Sequence, residues 1–337
     1  MQEKKFDLIS YGRSSIDLYS QEPGTAFEEI PGFHAFVGGS PLNIAVGCSR
    51  LGLNAALLTG VGKDKIGDFI LNFLEKEGVI TEKIPVIDGA RSSAVVLGIE
   101  PPDRFPLVYY RDNCADSQIN MDHVLAAEIE KSRLIEFSGT ALNIEPTRSA
   151  AFLAAEIAVK NKVPVVLDLD FRADQWHDIR AFGVTVRAFM KNANIVLGTE
   201  EEVLAAYISD NSQLNITHQQ ISAPEITGDL DEAIEGILSQ GVEVLIMKTG
   251  SRGAKIYLPD GTQQEVPGFP VDVLNILGAG DAFAAGFIYG YLKGWDLYRS
   301  CRMGNACGAF VVTQLGCANF NPYEKEILEF IESRGGF

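Results

Sequence analysis

Short apolar runs alternate with stretches of helical periodicity along most of the chain. Most of the runs are too uniformly apolar to be half exposed, which is typical of strands buried on both faces of a parallel sheet. We therefore predict strands at residues 6–11, 55–61, 133–137, 163–169, 194–197 and 242–247.

Helical periodicity fills the intervals between these strands and the segment after the last one. Pro41 in the first turn and Gly52 just past the end delimit the first helix. The predicted helices cover residues 41–51, 66–77, 146–160, 176–190, 200–207, 230–238, 281–292, 297–312 and 322–333. This alternation predicts the α/β class, with a mostly parallel sheet covered by helices on both faces.

Two regions, at residues 15–36 and 92–111, show strand-like alternation without an intervening helix. We expect them to form a small β-sheet that projects from the main sheet as a lid, with strands drawn from about residues 12–37 and 92–112. No internal repeat and no linker rich in proline, glycine or serine divides the sequence. The expectation is a single domain over residues 1–337.

The 337-residue chain has a formal net charge of −17, from 28 Lys and Arg against 45 Asp and Glu. A surface of that sign repels phosphate backbones and anionic lipids, so we expect neither nucleic acid nor membrane as a partner. An anionic ligand would need a locally positive pocket. The five cysteines form no Cys-x-x-Cys pair, and no apolar signal-peptide core precedes the first strand, so we expect a cytoplasmic protein with reduced thiols.

Small residues crowd the start of the predicted helix 281–292, in the run Gly278-Ala279-Gly280-Asp281. Several backbone N–H groups can point at one anion there, and the helix dipole favours the same charge. Asp281 either caps the helix or accepts a proton from a substrate hydroxyl, and the run alone leaves both interpretations open. The run is neither a Walker loop nor a dinucleotide-binding fingerprint.

A second glycine motif precedes the first helix, where Gly38 and Gly39 are followed by Asn43. The paired glycines allow the backbone to approach a ligand closely, and Asn43 in the first turn can reach the same place. An ordinary strand-to-helix turn, with Asn43 as a local hydrogen-bonding group, is the alternative.

The two motifs in this order, with the α/β alternation between them, resemble the ribokinase-like (PfkB) carbohydrate kinases from residue 6 to the last predicted helix. The resemblance implies a three-layer α/β/α fold and transfer of a phosphoryl group from ATP, with Mg²⁺, to a sugar hydroxyl. The residues that it implies are Asp281 as the catalytic base, with Gly278, Ala279 and Gly280 as the anion hole, and Asp17, Gly38, Gly39 and Asn43 in the sugar site.

The same resemblance implies a nucleotide site in the second half of the chain. Glu202 matches the Glu of the family's Asn-x-x-Glu element near Mg²⁺, which it would contact through water, although Thr199 replaces the usual Asn. The residues implied to bind the nucleotide are Thr199, Lys248, Gly250 and Gly253, with Asn305 beside the adenine.

A further departure from the family pattern concerns a monovalent cation. Asn275 and Ile276 stand where many members carry Asp-Thr. That pair helps to bind a stimulating cation through oxygen ligands, and Ile276 has no side-chain oxygen. The departure puts activation by K⁺ in doubt.

Two arginines could supply the counter-charge that a sugar acid needs. Arg111 follows Tyr109 and Tyr110 at the end of a lid-like strand, and Arg172 lies just past a buried strand, where α/β folds place ligands. A guanidinium fork suits a carboxylate, although either arginine taken singly could be a surface ion pair. Together the two arginines resemble the carboxylate-binding pair of the family's sugar-acid branch, and we expect Tyr109 in the substrate site beside them.

Within that branch, the runs at residues 110–116 and 168–172 are most similar to the kinases of 5-dehydro-2-deoxygluconate in inositol catabolism. The resemblance implies phosphorylation of the terminal hydroxyl of that acid. Kinases of 2-keto-3-deoxygluconate or fructose from the same family remain alternatives, as does a sugar-sensing protein that has lost catalysis. A homo-oligomer formed through the lid also remains open.

Overall fold

The computed structural model describes residues 4–100, 105–216 and 224–337. In chain order the described strands are β1 Phe6–Tyr11, β2 Ser15–Ser20, β3 Phe33–Gly38, β4 Ala55–Leu58, β5 Val61–Gly62, β6 Val86–Ile87, β7 Ser93–Leu97, β8 Leu107–Tyr110, β9 Ser132–Ser138, β10 Val165–Asp168, β11 Ile195–Thr199, β12 Leu214–Asn215, β13 Glu225–Ile226, β14 Val244–Lys248, β15 Gly253–Tyr257 and β16 Gln263–Pro267. The α-helices are α1 Ser40–Arg50, α2 Lys65–Lys76, α3 Met121–Ala126, α4 Thr147–Lys160, α5 Ile179–Met190, α6 Glu200–Ala205, α7 Leu230–Ser239, α8 Ala279–Leu292, α9 Leu297–Val311 and α10 Glu324–Glu332.

The main sheet has eight strands in the order β16-β15-β14-β11-β10-β9-β1-β4. The six strands from β14 to β4 run parallel, and β15 and β16 join antiparallel at one edge. All six parallel strands match apolar runs in the sequence. The predicted strand at 55–61 was too long, because it ends at Leu58 and residues 61–62 pair with β6 instead.

Helices cover both faces of this sheet and form two apolar cores. One core packs α3 to α7 against the sheet, and the other packs α1, α2 and α8 to α10 against the opposite face. The predicted three-layer α/β/α class is therefore confirmed. Among the described residues, no helix has the length and apolar character needed to cross a membrane.

Helix α8 is apolar on all sides because neighbouring helices bury it. It packs most extensively on α9 and also on α1. Glycines allow both approaches: a Cβ at Gly47 would lie 2.7 Å from the Cβ of Ala285, and one at Gly286 would lie 2.7 Å from the carbonyl oxygen of Met303. This close packing brings the first turns of α1 and α8 together.

A smaller sheet of four strands, in the order β3-β2-β7-β8, stands apart from the main one. Asp17, Val95 and Tyr109 pair with one another across three strands and so share a face. That face packs on an apolar cluster that includes Cys317 from the C-terminal part of the chain. Residues 101–104, inside the predicted lid region 92–112, lie outside the described residues.

Candidate active site

A small cavity lies between the small sheet and the carboxyl ends of the main-sheet strands. Its volume is about 60 Å³. Open α/β sheets bind ligands at this end of the strands. The cavity collects many of the predicted site residues, and its polar lining consists of Arg13, Asp17, Tyr19, Gly39, Ser40, Asn43, Tyr109, Asp170, Arg172, Gly278, Asp281 and Cys317.

Asp281 lies in the first turn of α8 and faces this cavity. Its Oδ2 accepts a hydrogen bond of 2.7 Å from Nδ2 of Asn43, which is in the first turn of α1. Burial raises the pKa of Asp281, and the charge of Asp170 raises it further, while the hydrogen bond from Asn43 opposes the shift. A carboxylate with a raised pKa and a fixed orientation is suited to accept a proton.

Gly278 precedes α8 with a φ of +81°, a backbone conformation that favours glycine. A Cβ at this position would lie 2.6 Å from Sγ of Cys317, so the turn has no room for a side chain. In the first turn that follows, the Ala279 N–H lies 3.4 Å from the Ile276 carbonyl oxygen, and the N–H groups of Gly280 and Asp281 have no acceptor within the helix. They form a cradle that can bind an anion beside Asp281.

Lys248, at the end of β14, lies next to this cradle. A Cβ at Gly280 would be 3.3 Å from the Lys248 ammonium nitrogen. That nitrogen lies 3.0 and 3.2 Å from the two carboxylate oxygens of Asp168 and 3.7 Å from Glu202. Burial raises the pKa of Asp168, and the Lys248 charge opposes that shift. The ammonium group is thus held close to where a phosphate would meet the cradle.

Thr199 and Glu202 form a reciprocal capping box at the start of α6. Glu202 accepts from the Thr199 N–H at 2.8 Å, and Thr199 Oγ1 accepts from the Glu202 N–H at 3.2 Å. The other Glu202 oxygen accepts from the backbone N–H of Phe171 at 3.2 Å. Within the described ranges, no group of three or more His, Cys, Asp or Glu residues could hold a metal ion.

Arg172 lines the cavity, but its charge is already partnered. Its Nη2 lies 2.7 Å from Asp170 Oδ1, and its Nη1 lies 3.7 Å from Glu202. Burial alone would raise the pKa of Asp170, but the Arg172 charge and hydrogen bonds from Ser138 and Thr140 hold that pKa below its ordinary value. Arg172 and Asp170 therefore form a charged pair at the wall of the cavity.

Arg111 is a predicted sugar-site residue that lies outside the cavity lining. It is 9% exposed, is absent from the cavity lining and pairs with Asp116 at 2.7 Å. It also donates to the Thr140 carbonyl oxygen at 3.1 Å. The structure therefore does not bring Arg111 to the cavity lining, and its predicted part in the sugar site stays a prediction. Arg13, for which the sequence predicted no role, lines the cavity instead, with its guanidinium carbon 5.2 Å from the centre of the Tyr109 ring.

Gly38, Gly250, Gly253 and Asn305 are also absent from the cavity lining. Gly38 lies beside Asp17, and a Cβ there would collide with the Asp17 carboxylate. Gly250 and Gly253, with φ of +60° and +104°, form the turn between β14 and β15. Asn305 is buried in α9 and donates to the carbonyl oxygens of Val266 and Pro267 at 3.0 Å each, so its amide holds the end of β16.

Three comparisons identify similar proteins. Residues 5–324 match the model for the pfkB family of carbohydrate kinases. A 5-dehydro-2-deoxygluconokinase of Clostridium tetani is 33% identical over 99% of this chain and 95% of its own length, and one of Bacillus anthracis is 32% identical over 98% and 96%. A sugar kinase of Pyrococcus horikoshii, solved with ATP, is 25% identical with a TM-score of 0.78 and covers 97% of this chain and 99% of its own.

Proposed function

Since this chain belongs to the pfkB family of carbohydrate kinases, we propose that it phosphorylates the terminal hydroxyl of 5-dehydro-2-deoxygluconate with ATP. The observation that carries the proposal is the position of Asp281, fixed by Asn43 beside an amide cradle in a cavity lined by guanidinium groups. The two relatives described above are named for this activity, and each aligns with nearly the whole chain.

Asp281 acts as the general base in this proposal. Its free oxygen accepts the proton of the terminal hydroxyl as that oxygen forms a bond to the γ-phosphorus. The bond from the γ-phosphorus to the bridging oxygen breaks, and ADP leaves. The first-turn amides of α8 and the Lys248 ammonium offset the negative charge on the transferring oxygens, so positioning and electrostatics supply most of the rate.

ATP extends from the cradle towards the turn at residues 250–253 and towards Asn305. Mg²⁺ would be held mainly by the phosphates of ATP, and both oxygens of Glu202 already accept backbone N–H groups. Glu202 would then contact the ion through water, as is common for Mg²⁺ in phosphate sites. When bound, the ion would neutralise phosphate charge.

The small sheet acts as a lid over the sugar. The cavity beneath it, at about 60 Å³, is well below the 300–1,000 Å³ that is usual for a ligand site. We therefore expect the sheet to move outward when a six-carbon acid binds. Asp17 and Tyr109 move with the sheet and would engage the sugar as it closes.

We also propose that two copies associate through the outer face of the lid. On that face the strand register aligns Leu18, Val96 and Val108 in one row across β2, β7 and β8. A second row beside it includes Tyr110 on β8. Val108 and Tyr110 are 41% and 62% exposed, and neither row contains a charge. A second copy can therefore meet this patch without bringing like charges into direct contact. Light scattering should show a dimer that Val108→Lys converts to a monomer; a wild-type monomer would contradict this.

A substrate panel with an ADP-release assay tests the function. We expect the highest kcat/KM with 5-dehydro-2-deoxygluconate, ahead of 2-keto-3-deoxygluconate and fructose. Asp281→Asn should lower kcat by about two to four decades while ATP affinity stays unchanged, because only base catalysis is lost. A preference for fructose would contradict the proposed substrate. Sugar binding without ADP release would favour a sensor.

A further inference from the structure

We propose that Arg13 recognises the carboxylate of the sugar acid and sets the preference of this enzyme for acids over neutral sugars. The inference rests on the proposed function. It assigns specificity to a residue that the sequence did not indicate, since the sequence pointed to Arg111 and Arg172 instead.

Arg13 is the guanidinium group at the cavity that forms no direct ion pair with a carboxylate of the described residues. Within residues 4–100, 105–216 and 224–337, no Asp or Glu oxygen lies within 4.0 Å of it, whereas Arg172 has Asp170 at 2.7 Å and Arg111 has Asp116 at 2.7 Å. Its side-chain hydrogen bond runs from Nη1 to Ser15 Oγ at 2.7 Å. The rest of its planar donor fork is therefore available to a ligand.

The surroundings hold this side chain in place. Ser15 Oγ, which accepts from Arg13, donates in turn to Asp17 Oδ1 at 2.6 Å, so one hydroxyl orients both groups without joining them as an ion pair. The guanidinium also lies against the Tyr109 ring. Gly39 has a φ of +108°, and a Cβ there would collide with the Arg13 carbonyl oxygen, so the glycine lets this backbone pack against the start of α1.

The charge balance of the cavity requires such a group. Three carboxylates line the cavity, those of Asp17, Asp170 and Asp281, against the guanidinium groups of Arg13 and Arg172. Because Asp170 compensates Arg172, an incoming carboxylate would face Asp17 and Asp281 with only Arg13 to attract it. A neutral sugar makes no such demand. Removal of the Arg13 charge should therefore weaken the binding of acids selectively.

The test compares two substrates in two variants. For wild type, Arg13→Gln and Arg13→Lys, KM is measured for 5-dehydro-2-deoxygluconate and for its analogue with CH₂OH in place of the carboxylate. We expect Arg13→Gln to raise KM for the acid by about 10- to 150-fold, as for the loss of a charged hydrogen bond, and to change KM for the analogue less than threefold. Arg13→Lys should restore part of the affinity for the acid.

The thermal midpoint and the KM for ATP report whether each variant is folded, and Arg111→Gln is the matched control for loss of a buried guanidinium. That control should lower the midpoint without changing the ratio of the two KM values. An equal rise of both KM values in Arg13→Gln, or no rise for the acid, would overturn the role of Arg13 alone. A wild type that turns over the neutral analogue but no sugar acid would overturn the proposed substrate as well. If Arg13→Gln does not fold, Arg13→Lys provides the test. A ratio of the KM for the acid to the KM for the neutral analogue that is unchanged from wild type would then refute the assignment.

Discussion

Two glycines of the anion cradle should respond in opposite ways to the same substitution. At Gly278, alanine would have to adopt a φ of +81°, and its Cβ would lie 2.6 Å from Sγ, 2.8 Å from Cβ and 3.1 Å from Cα of Cys317. At Gly280 the φ is helical, and the nearest atom to a new Cβ is the end of the flexible Lys248 side chain at 3.3 Å.

The expected magnitudes follow from these contacts. A left-handed conformation costs a non-glycine residue about 1–2 kcal/mol, and overpacking a rigid site costs about 1–3 kcal/mol. Gly278→Ala should therefore lower the free energy of unfolding by roughly 2–5 kcal/mol. The new Cβ must push the backbone away from Cys317, and this displaces the amides of the first turn. We therefore expect kcat to fall as well, by about two to three decades. Gly280→Ala should keep or slightly raise stability, since alanine favours the helix by up to about 1 kcal/mol.

Differential scanning calorimetry and the ADP-release assay measure the two effects separately. The double variant Gly278→Ala, Cys317→Gly should recover part of the lost stability, because it removes the Sγ and Cβ contacts and leaves the unfavourable φ. A single Gly278→Ala variant with wild-type stability and kcat would refute the account of the cradle. So would a Gly280→Ala variant that loses as much stability as Gly278→Ala.

Three further outcomes are expected. First, the raised pKa of Asp281 means that its carboxylate is protonated at a higher pH than that of an ordinary aspartate, so the acid limb of kcat/KM should lie above the usual aspartate pKa of about 4. A wild-type profile with no acid limb above pH 4, or an identical limb in Asp281→Asn, would contradict this. Second, Arg111→Met should lower the free energy of unfolding by about 3–5 kcal/mol, because it leaves the buried carboxylate of Asp116 unpaired. Urea titration measures this loss. A change in the preference for acids over neutral sugars would contradict the placement of Arg111 outside the cavity. Third, replacing K⁺ by tetramethylammonium should change kcat less than twofold. Asn275 Oδ1 already accepts a backbone N–H at 3.1 Å, and Ile276 has no side-chain oxygen to bind a cation. A tenfold loss of kcat would contradict this expectation.

The parallel core of the fold could be predicted because burial on both faces leaves a plain sequence signal. β9, β10, β11 and β14 are almost wholly apolar or buried, and helical periodicity separates them. The antiparallel edge formed by β15 and β16 was missed. β16 buries only Val266 among polar, exposed neighbours, so its sequence resembles a loop, and its pairing with β15 fixes it as a strand.

The anion cradle and its aspartate were also predictable, since one contiguous run carries the glycines, the helix start and the carboxylate. The contact between Asn43 and Asp281 joins residues 238 positions apart, and it depends on how closely α1 and α8 pack. Spacing along the chain contains no information on that distance. The two motifs could be predicted separately, and their meeting could not.

The arginines show where the sequence ceased to be informative. Arg111 and Arg13 both follow a strand and precede a run of polar residues, so a local pattern cannot separate them. What separates them is the partner of each: a short turn folds Asp116 back onto Arg111, whereas Ser15 intervenes between Arg13 and Asp17. A guanidinium that already pairs with a carboxylate contributes little attraction to a second one, whatever its position along the chain. If the proposed function is correct, the cation that meets the sugar acid is the one without a direct carboxylate partner in the folded cavity, and this criterion selects Arg13.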